Sequence, residues 1–185
     1  MEEIGLKKFP SIHELTLIET IYPELDKNSV LIVLTYLHLS KELKKAYNTF
    51  FNQYDLTDAK FSVLMILYRA ENNTLFPFEI AEQSDISRAT VTKLLDGLDK
   101  RGLIERKHDI YDRRKIIVIL TDEGKRCLER VLPIHYKLTQ SLVANFSEEQ
   151  KEFFLDYLSR LELGINNFRK KIKNISQKDI EVKNE

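Results

Sequence analysis

Between residues 86 and 124 the hydrophobic period of this chain changes twice within forty positions, and few folds accommodate both changes. Ile86-Ser87-Arg88-Ala89-Thr90-Val91-Thr92-Lys93 opens a helical pattern in which Val91, Leu94, Leu95 and Leu98 share one face. Gly102 ends it, since a residue without Cβ takes the left-handed cap at little steric cost. Residues 103–107 and the β-branched run 115–120 then predict two short strands. Between them lies a charged tip, His108-Asp109-Ile110-Tyr111-Asp112-Arg113-Arg114. An amphipathic helix followed at once by a basic hairpin predicts a DNA-reading head: one helix face docks, the other enters a groove, and the hairpin forms a wing.

The side chains suit that reading. Ser87 is placed to cap the helix through its hydroxyl. Ser87, Arg88, Thr90, Thr92 and Lys93 carry hydroxyls and cations of the kinds that reach phosphates and base edges. Arg88 falls near the buried side of the helical wheel, so it reaches DNA from the exposed helix end or pairs with a carboxylate instead. Arg113 and Arg114 at the hairpin tip suit the narrow, electronegative minor groove. Asp112 belongs on such a surface only if it orients an arginine, and Arg114, two residues on, is its expected partner. The competing readings, each the less favoured, are an ordinary amphipathic surface helix for the first segment taken alone and a solvated charged turn for the tip.

Charge balance makes the local cluster matter. Lys plus Arg and Asp plus Glu both number 29, so a chain with no formal net charge meets a polyanion only through a local excess of cations. Residues 84–115 supply one, with Arg88, Lys93, Lys100, Arg101, Arg106, Lys107, Arg113, Arg114 and Lys115 set against six acidic side chains. The 43% hydrophobic content with only 5 Gly and 4 Pro predicts an ordered, helix-rich protein. Its 185 residues suit one domain with an accessory pairing region, or two small domains. A single cysteine, Cys127, suits a reducing compartment. No basic leader precedes an apolar run with a small-residue cleavage site. The apolar block 30–39 is about half the ~20 residues needed to span a bilayer. The expectation is a cytoplasmic protein without membrane contact.

Elsewhere the chain reads as helices. Residues 1–27 carry Pro10 and Pro23 and form an extension with at most one short helix. Asn28 or Ser29 caps a long helix in which Leu34, Leu37, Leu43, Tyr47 and Phe50, widened by Val33, Tyr36, Leu39 and Phe51, predict burial on more than one side. Thr57 caps the next helix, with Phe61, Leu64, Leu67 and Tyr68 facing inward. Pro77 starts a third, short one. After the hairpin, residues 122–145 form a helix that Pro133 is expected to kink. Ser147 caps the last helix, where Phe154, Leu158, Leu161, Ile165, Phe168 and Ile172 alternate steps of four and three. That heptad seam pairs with another helix, either of a second copy or of the same chain. The pattern fades from Lys170, which predicts a frayed tail.

Taken in order, the helix-turn-helix at 78–101, the Asp112-Arg113-Arg114 tip and the closing Leu120-Thr121-Asp122-Glu123-Gly124 resemble the MarR family of bacterial transcription regulators. The Val131-Leu132-Pro133 step and the N-terminal extension resemble most its multidrug-efflux branch. The resemblance implies a mainly α fold with a small β-hairpin wing. It sets a winged helix-turn-helix over 55–124 inside a regulator spanning 28–171, with dimerisation helices at 28–54 and 125–171 and a flexible tail at 172–185. It implies a homodimer paired through Phe154, Leu158, Leu161, Ile165 and Phe168, acting on double-stranded DNA at an inverted-repeat operator. It further implies a repressor released from DNA by a ligand. The candidate site is the first long helix, where Tyr36, His38 and Tyr47 add polar handles for a small apolar or phenolic compound, although core or dimer packing is the commoner role for each of the three. Relatives that sense oxidants carry a cysteine near the start of the first long helix; this chain has none there, and Cys127 reads as an inert small hydrophobe. The four histidines are scattered, so no metal or other cofactor is expected. A phosphate loop, nucleophile elbow or acid–base pair is missing, which argues against an enzyme. The competing reading is a winged helix that docks another protein and ignores DNA.

Overall fold

A computed structural model describes residues 10–110 and 112–182, with side chains through residue 175. The chain divides into two units at Val131/Leu132, inside a helix. The first holds α1 (Ile12–Ile21), α2 (Lys27–Asn52), α3 (Asp58–Arg69), a 3-10 turn, β1 (Thr74–Leu75), α4 (Pro77–Ser84), α5 (Arg88–Asp99), β2 (Ile104–His108) and β3 (Ile116–Leu120). Helix α6 (Asp122–Leu142) begins in it and ends in the second unit, which also holds α7 (Glu148–Val182). The fold is mainly helical with a small antiparallel sheet, a winged helix-turn-helix.

Helix α3 is the centre of the first unit. Val63, Leu64, Ile66 and Leu67 are buried along with Phe61, a wide arc suited to a helix that touches α2, α4, α5 and β3. Tyr68, expected to face inward, is 43% exposed, because the burying arc turns toward Val63 and Ile66 instead. Thr57 caps α3 as expected, its hydroxyl accepting the Lys60 amide at 3.2 Å. Phe51 of α2 stacks on Phe61 at 4.5 Å, which anchors the end of α2 to this core. The earlier turns of α2 leave Val33, Tyr36, Leu37 and Leu39 exposed. The burial expected on more than one side is therefore confined within one chain to the last turn, where α3 lies alongside.

One helix start differs from expectation, and another supplies the short helix allowed for the N-terminal segment. Asp26, not Asn28 or Ser29, caps α2, its carboxylate accepting the Asn28 amide at 3.1 Å and the Ser29 hydroxyl. Ser11 and Glu14 form a capping box for α1, with the Glu14 amide donating to Ser11 Oγ at 3.1 Å and the Ser11 amide to Glu14 Oε2 at 2.6 Å. That helix lies in the segment read as an extension, of which residues 1–9 are outside the described residues.

Asp85, at φ 52°, turns the chain out of α4 in a left-handed conformation that Asp tolerates better than most residues. The amide of Ile86 donates to the Ala81 carbonyl at 3.2 Å, completing the tight turn into α5. Strand β3 lies between β1 and β2. Its unbroken Ile-Ile-Val-Ile-Leu run suits a central strand. Strand β1 pairs Thr74 with Ile119 and Leu75 with Val118, and at two residues it is too short to show a period in sequence.

The base of the hairpin is closed by the first turn of α6. The Thr121 amide donates to the Leu103 carbonyl at 3.1 Å, and its hydroxyl donates to the Gly102 carbonyl at 2.6 Å while accepting the Gly124 amide at 3.0 Å. A Cβ on Gly124 would lie 2.2 Å from the Leu103 carbonyl oxygen and 2.6 Å from Leu120 Cδ1. Only glycine lets α6 approach the strands this closely. Cys127 and Val131 are buried on the same helix.

In the second unit, α6 continues through Pro133. Helix α7 starts on a Ser147–Gln150 box, with the Gln150 amide on Ser147 Oγ at 3.2 Å and the Ser147 amide on Gln150 Oε1 at 2.9 Å. It extends to Val182, past the fraying expected from Lys170, because residues 170–182 lose the apolar period but contain neither Pro nor Gly. Residues 183–185 are outside the described residues. Phe154, Leu158, Ile165, Phe168 and Ile172 are exposed along this helix.

Two measurements test these junctions. Gly124→Ala lowers unfolding stability by about 1–3 kcal/mol or more, because the obstructing atom is backbone, whereas Gly164→Ala, where nothing lies within 4 Å, leaves stability unchanged or raised; equal unfolding curves would refute the close-approach role. The bond from Ser29, then that from the Asn28 amide, holds the Asp26 carboxyl below its ordinary value. Its capping contribution is therefore complete above the unfolded carboxylate pKa and is lost as pH falls through the lower folded one. An acid titration of Asp26→Ala followed by helical circular dichroism shows this component missing.

Candidate nucleic-acid interface

The N-terminal turn of α5 is built around Ser87. Its Oγ accepts the Thr90 amide at 3.3 Å and lies 2.9 Å from Thr90 Oγ1, while Thr92 Oγ1 donates to the Arg88 carbonyl at 3.0 Å. The hydroxyls are thus oriented locally. Val91, Leu95 and Leu98 are buried on the docking face, leaving Ser87, Arg88, Thr90, Thr92 and Lys93 exposed. Arg88, near the buried side of the wheel, is nevertheless exposed, because it is the first residue of α5 and lies at the free helix end. Neither Arg88 nor Lys93 forms an ion pair among the described residues.

Asp112 organises the wing tip. Its amide donates to Asp109 Oδ1 at 2.7 Å, and its own Oδ1 accepts Arg114 twice, from the amide at 3.1 Å and from Nε at 3.2 Å. The Lys115 amide donates to the Asp112 carbonyl at 2.8 Å, and the Asp109 amide to the Lys115 carbonyl at 2.9 Å. His108 Nδ1 lies 2.7 Å from the Arg113 carbonyl. The Asp112–Arg114 pair expected from spacing is present, and Arg114 remains 93% exposed while held at its root. Arg113 is exposed beside it; Tyr111, also part of the tip read from sequence, is outside the described residues.

Helix and wing meet. Arg88 and Thr92 from α5, Arg114 and Lys115 from the wing, and Phe76 and Phe78 from the start of α4 line one concavity of about 440 Å³. Phe76 and Phe78 stack at 5.7 Å, and the Lys115 ammonium lies 5.9 Å from the Phe76 ring centre, within cation–π range. Lys93 and Arg113 do not line it. The aromatic pair and Lys115 are additions to the residues read from sequence, and only the charge of Lys115 could have signalled them.

Several cations of the basic segment are used inside the molecule instead. Arg101 donates to the carbonyls of Tyr54 at 3.1 Å and of Asp55, tying the end of α5 to the loop after α2. Lys107 pairs with Glu105 at 2.9 Å. Arg106 turns toward α5, 2.7 Å from Asp96 Oδ1.

Tyr36, His38 and Tyr47, expected near an effector, do not converge. All three lie on α2, where Tyr36 and Tyr47 are eleven residues apart, roughly 16 Å along the axis, and His38 is about 200° around the helix from Tyr36. Tyr47 stacks on Phe51 at 5.9 Å. In the second unit Phe146, Phe153, Phe154 and Tyr157 line a separate concavity of about 490 Å³. Among the described residues no group of His, Cys, Asp and Glu has metal-binding geometry, and no helix is long and apolar enough to cross a membrane.

Residues 54–115, covering the helix-turn-helix, β2 and the wing tip, match the model of the MarR family. The HTH-type transcriptional repressor YetL of Bacillus subtilis (strain 168) is 35% identical over 156 residues, which cover 84% of this chain and 93% of YetL. The HTH-type transcriptional regulator PecS of Dickeya dadantii (strain 3937) is 30% identical over 148 residues, covering 80% and 89%. Among solved structures, the S. aureus MepR–DNA complex is 27% identical with a TM-score of 0.62, covering 71% of this chain and 94% of MepR. Sco3205 of Streptomyces coelicolor, solved in complex with DNA, shares the fold at 21% identity and a TM-score of 0.69, covering 75% and 88%. A reading helix and a charged wing joined in one concavity thus coincide with family-wide similarity over most of the chain, which belongs to the MarR family of DNA-binding transcription regulators.

Proposed function

We propose that this protein is a homodimeric repressor that binds an inverted-repeat operator and releases it when a small apolar or phenolic ligand binds. One observation carries the operator reading: Arg88 and Thr92 from α5 share a single surface with Arg114 and Lys115 of the wing. In this assignment Ser87, Arg88, Thr90, Thr92 and Lys93 serve the major groove. Arg114, oriented by Asp112, enters the adjacent minor groove with Arg113 beside it on the backbone.

Dimerisation is supported by the seam of Phe154, Leu158, Leu161, Ile165 and Phe168, whose four-and-three spacing suits helix pairing and most of which is exposed in the single chain. Two heads related by a dyad read half-sites about one helical turn, roughly 34 Å, apart. A ligand that favours a dimer with a different head spacing releases DNA without touching it. The exposed aliphatic and tyrosine surface of α2 around Tyr36 and the aromatic concavity at Phe146 and Phe154 supply surfaces of the matching chemistry.

The operator is obtained by selecting bound fragments from genomic DNA. Against it, Arg114→Ala weakens binding by about 1–3 kcal/mol, and the slope of log affinity against log salt becomes shallower. Wild-type affinity for that variant at physiological salt would refute the wing assignment. Ile165→Glu with Phe168→Glu yields a monomer in sedimentation that has lost operator affinity; a stable dimer would place the pairing surface elsewhere.

A further inference from the structure

We propose that Arg106 is a positioning residue that sets the offset between the recognition helix and the wing, an inference that rests on the operator reading above. Arg106 stands on β2 and does not line the concavity holding Arg88, Thr92 and Arg114. Its guanidinium crosses to α5. Nη2 donates to Asp96 Oδ1 at 2.7 Å and to the Thr92 carbonyl at 3.4 Å, and Nε lies 3.8 Å from Asp99 Oδ2. Through Asp96, Thr92 and Asp99 this one side chain ties β2 to α5. The side chain is 27% exposed, and its Nε is fully buried.

The pattern has a physical logic. Asp96 and Asp99 place two half-exposed carboxylates on the helix that must approach a polyanion. One guanidinium set against both offsets much of that repulsion. Its hydrogen bonds to a carboxylate and a backbone carbonyl both leave one nitrogen, Nη2, while Nε is buried without a hydrogen bond and faces Asp99 at 3.8 Å. The rigid guanidinium plane fixes these positions relative to one another, which a flexible lysine ammonium does not. The carbonyl belongs to Thr92, itself an assigned DNA contact, and β2 leads directly into the tip that carries Arg114. Arg106 therefore connects the major-groove group to the minor-groove group. An operator requires both at one fixed offset, whereas non-specific DNA requires only charge.

The full-length protein is tested with Arg106→Lys, which keeps the charge, and with Asp96→Ala, which removes a negative charge from the DNA-facing helix. Arg106→Lys lowers operator affinity about tenfold or more, with non-specific affinity and salt slope unchanged. Arg114→Ala then costs less in the Arg106→Lys background than in the wild type, because the wing is no longer held in register. Asp96→Ala also weakens operator binding, although electrostatics alone predicts tighter binding, and this second variant decides the matter if Arg106→Lys fails to fold. The proposal is overturned if Asp96→Ala tightens operator binding, if a folded Arg106→Lys binds like the wild type, or if Arg106→Lys flattens the salt slope by about one phosphate contact. A wild-type protein that selects no DNA sequence would instead overturn the operator reading itself.

Discussion

The reading head depends on one junction, where the carbonyl groups of Gly102 and Leu103 receive the amide and hydroxyl of Thr121. Gly102, at φ 66°, has just ended α5, and Leu103 leads into β2. The same threonine caps α6 through Gly124, whose missing side chain lets the helix rest against the Leu103 carbonyl. Four elements that are distant in function, the reader, both wing strands and the exit helix, thus share atoms within a few residues. Displacing any one disturbs the hydrogen bonds of the others, so wing geometry and helix geometry are set together.

A chain without net charge builds a cationic surface by allocation. Arg101 and Arg106 are bound inward and Lys107 is paired on its own strand, while Arg88, Thr92, Arg114 and Lys115 converge. At these half-buried positions the inward arginines connect elements through polar acceptors, because one guanidinium reaches two of them. Asp112 acts similarly at the tip. By accepting both the amide and Nε of Arg114 it holds the root of a side chain whose far end stays free, which reduces the rotamer entropy that contact with a groove would otherwise cost.

What the sequence revealed followed the range of each interaction. The Ser87 cap, the Gly102 turn and the Asp112–Arg114 pair span three residues or fewer and were legible from spacing. The cap of α2 is ambiguous in sequence because Asp26, Asn28 and Ser29 all have capping side chains, and only geometry selects Asp26. A wheel drawn through Phe61, Leu64 and Leu67 places Tyr68 inward, whereas the buried arc turns toward Val63 and Ile66. The Arg106–Asp96 pair joins residues ten apart through the packing of a strand on a helix, and no local pattern encodes that register. Tyr36, His38 and Tyr47 share a chemistry that sequence shows, while their separation along and around α2 within one chain follows from helical rise and rotation.

Helix α7 poses the remaining physical problem. It runs for 35 residues, yet none of its described side chains is buried within the single chain. Helical stability in proteins comes chiefly from packing an apolar face, and Phe153, Phe154, Leu155, Tyr157 and Phe168 form far more exposed apolar surface than a lone chain ordinarily keeps in water. The exposed turns of α2 present the same deficit. On the dimer reading, both are met by association, and the order of these helices then depends on protein concentration. On that reading folding is coupled to pairing, since the state able to read two half-sites would also be the state in which the apolar helices are covered.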